Sequence, residues 1–255
     1  MNRRTWLSGL GASLGGIWLS GCDQLARSPT AAKGLAVAEG VNRSVQRLFI
    51  GRTGLAREFD RKHISNYFKA NGYTDPATPE YRALQQGAFG DYRLVVDGLV
   101  DQPLSLSLAD LKALPARTQI TRHDCVEGWS SIGKWKGARL SALLDRAKLK
   151  ADARYIVFHC ADTLEQTLDG TGRYYESIDL VDAYHPQTIL AYQMNGHPLP
   201  VAHGAPLRLR VERQLGYKHA KYVQRIQAVR HLGGIGGGKG GFWEDVAGYE
   251  WYAGI

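Results

Sequence analysis

The run Tyr155-Ile156-Val157-Phe158 is apolar at every position, and so short and continuous a stretch fits a strand buried on both faces. Its neighbours set the fold class. Residues 92–100 alternate Tyr92, Leu94 and Val96 against Arg93, Val95 and Asp97, which predicts a half-buried strand closed by Gly98. Ser107 is placed to cap a short helix carrying Leu108, Leu111 and Leu114, stopped by Pro115. Residues 118–124 read as strand, Leu140, Leu143, Leu144 and Ala147 have helical spacing, and residues 178–184 suit a short helix. Residues 188–193 and 207–211 read as strands, the latter with alternating arginines, and 222–232 alternates imperfectly through Val223, Ile226 and Val229. Strands and short helices follow one another without the regular long crossovers of a doubly wound sheet. The expectation is α+β, rich in β, in one domain of catalytic size.

Composition removes other classes. Hydrophobic residues at 44% and charged residues at 22% exclude a disordered tail and a polytopic membrane protein. A formal charge of +8 favours an anionic ligand but falls short of a dedicated nucleic-acid binder, so no nucleic-acid partner is expected. Three scattered cysteines build neither a disulfide scaffold nor a four-ligand zinc site.

The first residues form an address. Arg3-Arg4 precede an apolar stretch, residues 7–19, whose 13 residues are too few to cross a bilayer, which takes about 20. Arg3-Arg4 with Trp6-Leu7 resembles a twin-arginine signal, with Trp where Phe is usual. Leu19-Ser20-Gly21-Cys22 resembles a bacterial lipobox, in which Cys22 takes the lipid; Asp23 after it resembles a signal for retention at the inner membrane. The expected organisation is a signal peptide over 1–21, a small polar tether over 22–45, a catalytic domain over 46–232 and a tail over 233–255. The expected location is the periplasmic side of the inner membrane, tethered by lipid. Export in the folded state suits a protein that acquires a bulky cofactor before crossing. The tail holds 7 glycines between Gly233 and Gly241, which reads as a flexible or closely packed loop without the strand-to-helix setting of a phosphate loop.

Cys125 ends the strand of residues 118–124, beside His123 and Asp124. Arg122 and His123 would favour its thiolate, although a lone cysteine is more often a buried, inert thiol. Alternation places His123 on the face of Cys125 and leaves Asp124 a structural role. A second block gathers His203, Arg208, Arg210, Gly216, Tyr217, Lys218 and Lys221. It reads either as cations for a phosphorylated ligand or as a solvated basic strand edge.

Cys125-Val126-Glu127-Gly128-Trp129-Ser130, followed by Trp135, Gly137 and Leu140-Ser141-Ala142-Leu143-Leu144, resembles the molybdenum-binding segment of the sulfite oxidase family, in its bacterial branch of methionine sulfoxide reductase catalytic subunits. The resemblance extends over residues 67–232. It implies molybdenum held by one molybdopterin, with the Cys125 thiolate as a metal ligand. His203, Arg208, Lys218 and Lys221 are implied to bind the pterin and its phosphate, with backbone contacts from Gly216 and Tyr217 and a weaker place for Arg210. Tyr67-Phe68-Lys69-Ala70-Asn71-Gly72 resembles the segment that wraps the pterin, through Ala70 and Asn71. Cys160 stands where that branch has Thr, beside the metal site or in the core. A disulfide between Cys125 and Cys160 is left open by their spacing. No Cys-x-x-Cys-His haem motif and no further dimerisation domain follow, so the chain is implied to be a catalytic subunit that passes electrons to a separate redox partner, a haem-containing membrane protein in relatives of this layout.

The implied chemistry moves an oxygen atom and two electrons to or from a small substrate, with His123 as a proton relay. Gly128-Trp129-Ser130-Ser131 is neutral and partly aromatic, which favours reduction of a sulfoxide or related S- or N-oxide over oxidation of sulfite. Two other classes compete: a non-catalytic anion-binding lipoprotein, and a Cys–His acyl-transfer enzyme using Cys125 with His159 or His185.

Overall fold

In a computed structural model, residues 40–41, 44–48, 51, 53–164 and 172–255 are described, in two compact units, residues 1–51 and 52–255. The export signal, Cys22 and most of the tether lie outside the described residues. Within the first unit, residues 44–48 are helical.

The second unit is built on two five-stranded sheets. The first runs in the order β2 (Leu104–Leu106), β1 (Leu94–Gly98), β10 (Val223–Val229), β5 (Tyr155–Thr163), β6 (Arg173–Asp179). Its β1–β10 pair is parallel and the others antiparallel. The second runs β3 (Ala116–Asp124), β4 (Ser130–Arg139), β7 (Ile189–Met194), β8 (His197–Pro198), with β9 (Arg208–Arg210) also paired to β7. Five short helices connect them: α1 (Pro79–Gln86), α2 (Leu108–Ala113), α3 (Leu140–Ala147), α4 (Leu180–Ala183) and α5 (Phe242–Ala247). This is the β-rich α+β architecture expected.

Local chemistry accounts for the elements. Ser107 and Asp110 form a reciprocal capping box on α2, and the hydrogen bonds from Ser107 hold the Asp110 carboxyl below its ordinary range. In β7, Leu190 and Tyr192 face the main core while Ile189, Ala191 and Met194 face a second cluster with Phe68 and Trp135. Successive side chains point to opposite faces, so a strand covered on both sides reads as an apolar run; Met194 joins Ile189 and Ala191 because the β4–β7 register slips at Tyr192. The imperfect alternation of β10 has a specific cause. The register slips between Val223 and Arg225, where Gln224 is an extra residue, so Val223, Ile226 and Ala228 all reach the buried face.

Strand β4 carries most of the segment after Cys125 and has no strand signature in the sequence. Gly133 and Gly137 interrupt its pattern, and both are there for close approach. A Cβ on Gly137 would lie 2.6 Å from Ala191 Cα, and the β4–β7 register shifts beside it.

The C-terminal residues 233–255 are part of the second unit. Phe242 enters the main core, Leu215 N–H donates to Ala253 O, and Trp251 Nε1 donates to Ser177 Oγ. The glycine run is closely packed: Gly240 lies against Trp251, and Gly237 against Asp245, whose carboxylate accepts from Gly237 N and Lys239 N.

Candidate functional site

Three stretches far apart in sequence meet at Phe68. Its ring centroid is 5.7 Å from His123 and 5.4 Å from Trp135, in the cysteine block, and 5.6 Å from His203, in the basic block. In the sequence Phe68 stands only as part of a wrapping segment, and its neighbour Tyr67 is exposed. Beside it, Arg208 Nη2 donates to Asn71 Oδ1 at 3.2 Å, and Lys221 Nζ donates to Asn71 O (2.6 Å), to Ala202 O (3.1 Å) and to Tyr73 O. Three carbonyls thus take the three hydrogens of the ammonium.

The basic strand is interior. Arg208 and Arg210 are both 0% exposed, which overturns the reading of a solvated edge. Both guanidinium groups lie over the Trp135 ring, at 5.4 and 4.4 Å from its centroid. Arg210 is fixed by a two-point bond to Glu212 (2.9 and 2.6 Å) and donates to His123 Nδ1 at 3.0 Å. Arg208 instead bonds to the neutral oxygens of His203 and Asn71, and burial with Arg210 nearby brings it down to about 9. Lys218 is placed differently: it lies between Glu176 and Glu244, fully buried, and does not line the cavity beside Cys125.

That cavity, of about 270 Å³, is lined by Asn71, Cys125, Gly216, Tyr217 and Lys221, all singled out from the sequence, and by Asp162 and His219, which were not. Ala70, His123, Cys160, His203 and Arg208 are not among its lining residues. His123 and Arg208 sit behind the wall; a Cβ on Gly216 would lie 2.7 Å from His123 Nε2. Cys160 is buried in the main core, and both it and Cys125 are free thiols, so no disulfide joins them. The outer wall comes from the C-terminal segment, where Trp243 and Tyr249 stack with centroids 5.9 Å apart and Tyr217 meets Tyr249 edge-on at 5.1 Å.

The titration states follow from burial. His123, His203 and His219 are all held below their ordinary range, His203 at about 4, by desolvation and by the surrounding cations. Arginine only donates, so His123 accepts at Nδ1 and carries its hydrogen on Nε2; His219 Nε2 bonds to Gln214 O, which leaves its Nδ1 as an acceptor. A neutral His123 holds its proton in place rather than cycling it near neutral pH. The thiolate expectation for Cys125 is corrected: burial raises its pKa above the ordinary thiol value, and Arg122 is turned to Asp124 instead. Such a sulfur ionises when a metal takes it, not by itself.

Several buried polar atoms around this cavity have no partner among the described residues: His123 Nε2, His203 Nδ1, His219 Nδ1, Arg208 Nε and Asp162 Oδ1. Native interiors leave few such groups without a partner. Together they offer donors, acceptors and positive charge around one soft sulfur, a set that fits a heteroaromatic pterin carrying a phosphate and a metal. Among the described residues no group of three or more His, Cys, Asp or Glu is arranged to hold a metal ion, so a metal here relies on Cys125 and on ligands from a bound group.

Residues 82–232 match the family described as oxidoreductase molybdopterin-binding domain. A protein of Azospira oryzae named "Putative protein-methionine-sulfoxide reductase subunit YedZ1" is 36% identical over 243 residues, 95% of this chain and 84% of that protein. The protein-methionine-sulfoxide reductase catalytic subunit MsrP of Xanthomonas campestris pv. campestris is 33% identical over 187 residues, 70% of this chain and 56% of that one. The chain therefore spans little more than half the length of this MsrP relative. The sulfane dehydrogenase SoxCD from Paracoccus pantotrophus aligns in structure with a TM-score of 0.49 at 25% identity, over 55% of this chain and 39% of that one. The chain belongs to the molybdopterin-binding oxidoreductase family, and it is an enzyme. Membership replaces the reading of a non-catalytic anion-binding lipoprotein. The acyl-transfer reading falls with it: His159 bonds to Gln227 and His185 to Gly54 O, and neither lines the Cys125 cavity.

Proposed function

We propose that the chain is the catalytic subunit of an exported enzyme that reduces a sulfoxide, with methionine sulfoxide in proteins as the substrate class named for two relatives. The observation that carries this reading is the cavity wall beside Cys125. Its apolar side is formed by Val126, Leu164, Tyr217, Trp243 and Tyr249; Glu127 and Asp162 also line the cavity, among the described residues no arginine does, and its one lysine, Lys221, is already held by three carbonyls. A neutral, polarisable substrate suits such a wall, since thioether sulfur packs favourably on aromatic rings. Sulfite, a small dianion, would find its counter-charges behind the wall.

The cofactor in this reading is molybdenum with one molybdopterin, which when bound supplies two-electron oxygen-atom transfer. Cys125 gives the protein sulfur. Asn71, Gly216, Tyr217 and Lys221 face the group, and Arg208 and His203 approach from behind Asn71. Lys218, already paired with two carboxylates, contributes through the position of Gly216 and Tyr217. Neutral His219 presents a fixed acceptor to the cavity, neutral His123 backs Gly216 and takes the bond from Arg210 behind the wall, and the aromatic wall orients the substrate and excludes water.

Electrons come from a separate partner, for which a haem-containing membrane protein is the expected class. Arg3-Arg4 and Cys22 support twin-arginine export and a lipid anchor on the periplasmic side of the inner membrane. None of the described helices is long and apolar enough to cross a membrane.

The test is a dye-linked assay of holoenzyme folded in a cofactor-competent cytoplasm, with methionine sulfoxide and a reduced dye in one arm and sulfite with an oxidised dye in the other. Sulfoxide-dependent dye oxidation is expected. Turnover of sulfite with none of the sulfoxide overturns the reading.

A further inference from the structure

Asp162 is a carboxyl group in an unusual position. It follows Cys160 by two residues on β5, is 3% exposed, and lines the same cavity as Cys125. Its Oδ1 is sealed from solvent and meets no donor among the described residues. A buried carboxyl is ordinarily paired or hydrogen-bonded, because desolvating the charged form is costly. The groups that act on Asp162 are Lys221 and Tyr222 ahead of β10, Cys160 on its own strand, Tyr174 on β6 and Tyr81 on α1. The one cation among them, Lys221, points its hydrogens at three carbonyls. Tyr81 is likewise engaged, donating to Ala205 O at 2.7 Å, and Tyr174 donates to Tyr217 O.

We propose that Asp162 delivers one of the two protons that sulfoxide reduction consumes, giving it to the oxygen that leaves the substrate in the Cys125 cavity. The proposal rests on the sulfoxide reading above. In that reaction one sulfoxide, two electrons and two protons give one thioether and one water: the S–O bond breaks, two O–H bonds form, sulfur is reduced, and the external electron-donor protein is oxidised. Asp162 carboxyl loses its proton to the departing oxygen and regains one from water at the cavity mouth. Burial supports the role, since it raises the carboxyl against the opposing pull of Lys221, which the same burial lowers to about 7, so that near neutrality the two groups together hold and release a proton. His123 and His219, the neighbouring imidazoles, lie too low to do so.

The test combines rate profiles with a direct view of the carboxyl in holoenzyme. Wild-type kcat is expected to fall as pH rises through about 7, as the acid form is lost. Asp162→Asn is expected to lower kcat on the order of 10²-fold, with KM and the molybdenum-to-protein ratio unchanged, and to flatten that alkaline fall. Asp162→Glu should restore both in part. Infrared difference spectra should show a protonated carboxyl band in wild type that titrates around neutrality and is missing from Asp162→Asn. An Asn variant with a wild-type rate or an unmoved alkaline limb overturns the proposal. So does a wild type without such a band, whether or not the variant assembles. Wild type that carries the band yet reduces no sulfoxide overturns instead the reading on which the proton's destination depends.

Discussion

Lys218 Nζ stands 2.7 Å from Glu244 Oε1 with both side chains sealed from solvent, and Glu176 closes on the same nitrogen from the other side. Burial pushes Glu176 well above the usual carboxylate range while Lys218 draws it back. The cluster ties the basic block to α5, and through it the C-terminal segment to the cavity. Replacing Lys218 by Met would leave two buried carboxyls facing one another, and unfolding of the cofactor-free protein should become easier by about 3–5 kcal/mol. Glu244→Gln keeps the Lys218–Glu176 pair and should cost no more than about 1–2 kcal/mol. Denaturant melts of cofactor-free protein test this: a phosphate-binding Lys218 would change cofactor content and leave those melts unmoved.

Acid sensitivity follows from the neutral histidines. His203 is lowered to about 4 by burial, Arg208 and Lys221, and His219 lies well below its ordinary value for similar reasons. Between about pH 6.5 and 4 the unfolded chain therefore binds protons at these positions that the folded chain does not. Stability contributed by them is present above about pH 6.5 and is lost as pH falls through that window. Thermal melts should show Tm falling across it, and His203→Gln should make the fall shallower.

Gly216 has a steric rather than a conformational reason. A methyl group there would press on His123 Nε2 at 2.7 Å and on Asp124 O at 3.1 Å. His123 cannot retreat easily, because its other nitrogen takes a bond from buried Arg210. Gly216→Ala should destabilise the fold by about 1–3 kcal/mol, the usual result of overpacking, and should lower the molybdenum-to-protein ratio. Unchanged metal content with an unchanged melt would remove Gly216 from the cavity wall's essential geometry.

What could be read from the sequence was whatever chemistry leaves a local signature. Cys125 and the basic block stand out as compact runs, and the capping box of α2 and the apolar run of β5 are set by neighbours in the chain. The Asn71–Arg208 bond joins residues 137 positions apart, yet both ends were legible because each belongs to its own run. Phe68 was not, since an aromatic in a turn-rich segment says nothing of which three stretches will surround it. Asp162 carried a signal that alternation offered: it shares the face of Cys160, two residues earlier on β5. Trp243 and Tyr249 were hidden by the glycines before them, which read equally as a flexible or a closely packed loop and say nothing of what they pack on. Their role depends on Asp245 and Glu244 finding partners elsewhere in the fold, Tyr175 and Lys218.

The aromatic wall gives the last prediction. Trp243 and Tyr249 stack on one another, and Tyr249 is fixed further by its N–H bond to Trp243 O at 3.2 Å and by Tyr217. Neither is within the fully buried core, and Tyr249 is 37% exposed, so truncation leaves the fold largely intact while opening the cavity. If the wall orients an apolar sulfoxide, Trp243→Ala should raise KM on the order of tenfold, since a lost apolar contact of this kind is worth about 1–3 kcal/mol. kcat should change less, because the aromatic contact is made equally before and during reaction. The loss should be greatest for sulfoxides with bulky apolar substituents and least for dimethyl sulfoxide, whose methyl groups cover little of the ring. Equal losses across such a series would mean that Trp243 acts only by holding the C-terminal segment in place.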